Sequence, residues 1–293
     1  MLAHLGVAAL LLASPVSSTE TADFARDTAA WHAAREKRLA SEDGWLTLVA
    51  LLWLKEGDNR AGSGPSATVV FPPKAPAQLG TFSRKGLAVS FQPAPGVVVS
   101  ERGKPFAGGP LKSDATAEPD VLEAAGLRFY PVVRGDRVGL RVKDAQAPKR
   151  LAFRGIPTYP ADPRWRIEAR WEAAPAGTFI PVPNVLGTVD QMPAPGRAVF
   201  QLDGQEYRLT AVLEEGESNL FFVFADATNR TETYGAGRFL YAAPPKGERV
   251  VLDFNRAYNP PCAFTPYATC PLPPRQNRLS IAVAAGEKRP ADH

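Results

Sequence analysis

The strongest constraint on this chain's fold is its punctuation: short apolar runs of strand length, cut apart by glycine and proline. Val138, Leu140 and Val142 alternate with Arg137, Gly139, Arg141 and Lys143, so an extended strand there would bury one side and present a basic other side. Trp165, Ile167, Ala169 and Trp171 alternate with Arg166, Glu168 and Arg170 in the same way. Further runs of this kind lie at residues 68–71, 87–91, 97–100, 128–133, 198–202, 206–214, 220–225, 237–242, 249–255 and 279–284. Turns join them. Asp203-Gly204 is a hairpin signal, and Arg134-Gly135-Asp136 reads as a turn before it reads as an adhesion motif. The 24 glycines and 29 prolines are enough for many turns yet too few for a disordered chain. The implied class is mainly β, as sandwiches or barrels.

Residues 21–39 break this pattern. Phe24, Thr28, Trp31 and Leu39 fall near one stripe of a helix, with Arg35, Glu36 and Lys37 largely off it, and Gly44 stops it. Such a helix before a β body would pack as a lid or brace. A proline-rich stretch at residues 156–163 marks a boundary between two strand series. The expected organisation is therefore a signal segment at 1–18, a helical segment at 19–44, a β-sandwich at 45–150, and a C-terminal β domain, barrel or sandwich, at 151–293.

The apolar run at residues 5–13 is too short to span a bilayer, and Val16 and Ser18 supply small residues before a cleavage point near Thr19. This predicts export, to a periplasm or the exterior, although His4 stands where a lysine or arginine is usual. No later stretch is long and apolar enough for a membrane span. The formal charge of +4 comes from 34 basic and 30 acidic residues without blocks, so no nucleic-acid partner is expected. Cys262 and Cys270 are the two cysteines. In an oxidising compartment so close a pair reads as a disulfide, whereas metal binding would need more ligands at other spacings.

Histidine excludes more than any other residue. The three present are His4, His32 and His293, so a Ser-His-Asp or Cys-His centre would depend on His32 leaving its helix for the β body. No P-loop or dinucleotide fingerprint occurs, and no cofactor or metal is expected. What remains is a polar cluster in the C-terminal half. Asp226, Thr228, Tyr234 and Arg238 sit in one segment; Asp253, Asn255, Tyr258, Asn259 and Asn277 sit in another. The second borders a loop at residues 257–274 with at least five prolines and both cysteines. Rigid loops carrying Tyr, Asn and Asp suit small polar ligands. Arg238 is the natural counter-charge for Asp226 or Asp253. The competing reading has these side chains satisfying one another at a covered sheet edge and binding nothing. Asp226 and Asp253 could instead act as acid and base, and oxygen ligands for calcium around residues 226–229 make a weaker case.

Several long segments carry a resemblance. DATNRTETYGAGRFL, LDFNRAYNPPCAFTPYATCPLPPRQNRL and the closing AGEK resemble the DUF1684 family of uncharacterised bacterial and archaeal proteins. GWLTLVALLWLKEGDNRAGSG fits that family's opening. The family implies no activity. The order LKEGDNRAGSG, VVFPP, LGTF, VSF, VVVSERGKP, RGDRVGLRVKD is similar to a forkhead-associated sandwich. That family reads phosphothreonine with an arginine directly after its early glycine and a Ser-x-x-His pair. Here Ser63 follows Gly62, Arg60 is displaced and no histidine lies in this half. The resemblance implies a sandwich, not phosphopeptide binding. The leading expectation is a cell-envelope binding or structural module holding a small polar ligand, the alternative a histidine-independent hydrolase using Asp226 and Asp253.

Overall fold

A computed structural model of the chain describes residues 18–291. The expected signal segment therefore lies outside the described residues, save Ser18, as do His4 and His293. Strand accounts for 40% of the chain and helix for 15%, which makes it mainly β.

A helix, α1, runs from Ser18 to Leu39. Gly44 ends the descent from it: a Cβ there would lie 2.1 Å from the Leu39 carbonyl oxygen, so no larger residue fits. The buried stripe of α1 is wider in character than expected. Phe24, Thr28, Trp31 and Leu39 do face the body, but Arg35 and Glu36 are drawn in with them. Arg35 pairs with Glu287 at 2.6 Å, and Glu36 accepts the Ile156 amide at 2.7 Å. A charged residue can join an apolar stripe when its partner is waiting inside.

The N-terminal half is a sandwich of a six-stranded and a five-stranded sheet. Strands Leu127–Arg134 and Arg137–Asp144 form the hairpin read from the alternation, joined through residues 134–137. Phe71, Phe82, Phe91 and Phe129 stack between the sheets, with Phe82 and Phe91 centroids 4.2 Å apart. Strand Leu48–Trp53 escaped the sequence pattern because it is apolar throughout and does not alternate, and Gly57–Gly62 and Gly80–Lys85 because glycine and charge interrupt their alternation. Residues 97–99, expected in a strand, lie outside one; only Ser100–Glu101 pairs.

The C-terminal half is an open sandwich, not a closed barrel. A four-stranded sheet, Arg166–Ala173, Gly196–Leu202, Gln205–Ala211 and Arg249–Asp253, faces a central hairpin, Leu220–Phe224 with Arg238–Ala242. The run Leu220–Phe224 is buried at every position. It reads as unbroken apolar sequence because both faces are covered. Phe222 and Phe224 meet the four-stranded sheet. Phe221 and Val223 pack the other way, with Val182, Phe239, Trp45 and Tyr258. A proline-bearing hairpin, Phe179–Pro183 with Val189–Pro193, lies on that second side. None of these sheets takes strands from both halves.

The expected strand at residues 279–284 is absent. Its alternation is real, since Leu279, Val283 and Ala285 are buried while residues 280, 282 and 284 are exposed. Its backbone pairs only briefly with residues 225–227, the Leu279 amide donating to the Ala225 carbonyl and the Ala227 amide to the Ile281 carbonyl. Side chains take over beyond: the Val283 amide donates to Asp226, and the Val283 and Ala285 carbonyls accept from Arg238. The proline-rich loop at 257–274 is wedged between the halves. Ala263 and Phe264 join Leu39, Leu46 and Ile156 in one apolar cluster, and Arg134 donates to the Thr269 hydroxyl at 2.8 Å.

Candidate functional site

The residues expected to form a site divide into local networks. Asp226 and Arg238 form an ion pair at 2.8 Å with both side chains wholly buried. The other Asp226 oxygen accepts from the Thr228 amide and hydroxyl and from the Val283 amide. Thr228 bonds in turn to Thr233. Arg238 spends its remaining Nη donors on the carbonyls of Val283, Ala285 and Glu287. The guanidinium thus ties the C-terminal segment to the central hairpin. A desolvated ion pair is tolerable only with such extra bonds around it.

Asp253 caps the short turn Phe254–Arg256 by accepting the Asn255 amide. Asn255 holds both the amide and the carbonyl of Asp162, and its own carbonyl accepts from His32 Nε2 at 2.8 Å. His32 is therefore a packing residue of α1. Asn259 donates to the Lys288 carbonyl, while its amide meets Glu287 and its carbonyl meets Arg35. Asn277 grips the Thr210 amide and carbonyl and also the Val223 carbonyl, standing in for a strand between them. Tyr234 donates to the Cys262 carbonyl at 3.2 Å, and burial raises its phenol above the ordinary range.

The expected disulfide is corrected by the structure: no disulfide joins Cys262 to Cys270. They still touch. The Cys262 amide donates to the Cys270 sulfur at 3.2 Å, and a hydrogen bond from Cys270 holds the Cys262 thiol below its usual pKa. That same bond, with burial, pushes Cys270 far above it. Prolines and packing between the two halves hold the loop in place of a covalent link.

Of the nine residues anticipated as ligand-binding, Tyr258 lines the largest cavity described, about 570 Å³. The other eight do not line it. Its walls are Trp31, Arg35, Arg38 and Leu39 of α1, Trp45 just beyond, Phe221, Phe239 and Tyr241 on the outer face of the central hairpin, and Pro261 and Pro271 of the cysteine loop. Glu214, Asn219 and Arg256 complete its polar groups. The rings are ordered against one another. Phe221 and Tyr241 stack at 4.8 Å, Phe239 meets Tyr258 edge-on at 5.7 Å, and Trp31 stands 6.3 Å from Tyr258.

Charge enters this aromatic lining from one side. The Arg35 guanidinium lies 4.3 Å over the Tyr258 ring while bonded to Glu287 and the Asn259 carbonyl. Arg256 is loosely paired with Asp253 at 3.5 Å. Arg38 is exposed and has no side-chain partner among the described residues. The single carboxylate, Glu214, accepts the Tyr241 hydroxyl. Burial, first of all, raises the phenols of both Tyr241 and Tyr258 well above the ordinary range, so both are neutral donors at physiological pH. Sequence reasoning placed Trp31 on the packing stripe of α1 without linking it to a site, set Arg35 off that stripe, and left Arg38 unassigned. Their i, i+4, i+7 spacing is the signal that could have found them.

The profile of DUF1684, described as a protein of unknown function, matches residues 151–288. The chain belongs to the DUF1684 family. The match takes in the central hairpin, the Asp226–Arg238 pair and the cysteine loop, and does not extend over α1 and the N-terminal sandwich. The forkhead-associated resemblance of that sandwich gains no support. No curated protein matches the chain. Among solved structures it is similar to an uncharacterized protein of Haloarcula marismortui determined by solution NMR. That likeness has 31% identity and a TM-score of 0.42, and covers 49% of this chain and 81% of the other.

Proposed function

We propose that this chain is a binding module that holds a small polar ligand in the cavity between α1 and the C-terminal sandwich. The supporting observation is the lining, six aromatic rings and three arginines around about 570 Å³. Small-molecule sites are concave, largely apolar and supplied with a few convergent polar groups, at volumes of roughly 300–1,000 Å³. The reading as a hydrolase with Asp226 and Asp253 has less behind it. Asp226 is wholly buried with both oxygens engaged, and a general acid or base must reach its substrate within hydrogen-bond distance. The apolar run at residues 5–13 supports export, which would place the module in the cell envelope or beyond it.

Native mass spectrometry of protein purified from its own host tests the binding reading. The expected spectrum contains a retained small mass that leaves on denaturation and is missing from a Tyr258→Ala variant that still folds. A protein that carries no added mass, and acquires none from host extract, would contradict it. N-terminal sequencing of the same preparation tests export: a start near Thr19 is expected, and an intact Met1 would contradict it.

A further inference from the structure

We infer that the ligand of this cavity is an organic anion with a flat apolar body, its charged head held by Arg38 and Arg256. The inference rests on the binding reading above and adds the ligand's charge and shape. Three arginines line the cavity against one carboxylate, and the carboxylate already accepts the Tyr241 hydroxyl. Arg35 is spent on Glu287 and the Asn259 carbonyl, so its charge is already matched and it serves as a fixed wall over the Tyr258 ring. Arg256 keeps most of its donors, since its 3.5 Å approach to Asp253 engages only Nε. Arg38 is unengaged among the described residues. A guanidinium fork matches the two oxygens of a carboxylate or phosphate, and a partly desolvated site strengthens such bonds.

The body of the ligand follows from the rings. Trp31 on α1 faces Tyr258, and Tyr241 stacks with Tyr258 at 6.1 Å, leaving flat apolar walls. Aromatic walls can also cage a cation. Here the arginines oppose that use, because a cation would enter against like charge with no free carboxylate to meet it.

Three probes share one body and differ in the head: 2-naphthoate, 2-naphthylmethanol and 2-naphthylmethylammonium. Each is titrated into the full chain by calorimetry and by quenching of tryptophan fluorescence. The expected order is naphthoate tighter than the alcohol by about tenfold or more, with the ammonium weakest. Arg38→Gln should weaken naphthoate by about tenfold, leave the alcohol unchanged and keep the melting temperature, because the exposed Arg38 side chain has no partner to lose among the described residues. Arg38→Lys should restore part of the loss, since charge returns without the planar fork. If the alcohol or the ammonium binds as tightly as the acid, or if Arg38→Gln changes nothing, the anionic ligand is refuted while the cavity remains a binding site. If none of the three binds, both readings fall.

Discussion

Replacing Asp226 with asparagine separates a structural ion pair from a functional one. The substitution keeps the side chain's shape, and asparagine Oδ1 can still accept from the Thr228 amide, the Thr228 hydroxyl and the Val283 amide. What changes is the 2.8 Å contact to Arg238, where an amide donor would face a guanidinium donor. Arg238 keeps its carbonyl contacts but becomes a buried cation without a counter-ion. Removing one partner of a buried pair costs about 3–5 kcal/mol. For domains of this size each kcal/mol lowers Tm by roughly 2–4 °C, so a fall of about 6–20 °C is expected in a thermal melt followed by circular dichroism. Urea titration at 25 °C should give a matching loss of stability. Asp226→Asn combined with Arg238→Met removes the stranded charge and should recover most of it. A single variant within about 1 kcal/mol of wild type would refute the argument. If that same variant lost bound ligand while keeping its stability, Asp226 would belong to the site after all.

Other outcomes follow from the same geometry. Arg35→Met should destabilise by about 2–4 kcal/mol in urea titration, because it strands the almost fully buried Glu287; a change below about 0.5 kcal/mol would contradict the brace between α1 and the sandwich. Iodoacetamide on native protein near neutral pH should alkylate Cys262 before Cys270, since the hydrogen bond from Cys270 lowers the first thiol and raises the second; peptide mapping showing the reverse order would overturn that assignment. The raised phenols of Tyr241 and Tyr258 contribute stability that is present below the ordinary tyrosine pKa of ~10 and is lost as pH rises above it. Their phenolate absorbance at 295 nm should therefore appear together with unfolding; a Tyr241→Phe/Tyr258→Phe variant that lowered the absorbance step of the still-folded protein would count against it.

Strand placement was legible where apolar and polar residues alternate. The hairpin Leu127–Arg134 with Arg137–Asp144 and the strand Arg166–Ala173 stand almost where their alternation puts them. Alternation misled at residues 279–284, where the period of two is genuine but the backbone pairing with residues 225–227 is too short for a strand, and Asp226 and Arg238 take the Val283 backbone instead. No local pattern encodes that arrangement, because its partners lie some 45 to 57 residues away. Prolines hid the hairpin Phe179–Pro183 with Val189–Pro193, since proline ordinarily speaks against a paired strand. At the site, the sequence marked the polar residues correctly as ones that need partners. It could not tell that Asp226, Asn255, Asn259 and Asn277 find them in backbone groups and in neighbours such as Arg238 and Asp253, leaving Tyr258 at the cavity. The arginines of α1 escaped notice because a helix's polar stripe ordinarily faces water, and only tertiary placement turns Arg35 and Arg38 toward the rings of the central hairpin.

The most direct measurement is a crystal structure of the full chain soaked in 2-naphthoate, with ring density and head-group contacts as the readout. The account predicts the naphthalene beside Trp31, Tyr241 and Tyr258, with its carboxylate on Arg38 or Arg256. Density for the ligand elsewhere, with the space between α1 and the central hairpin closed by its own side chains, would contradict the binding site itself.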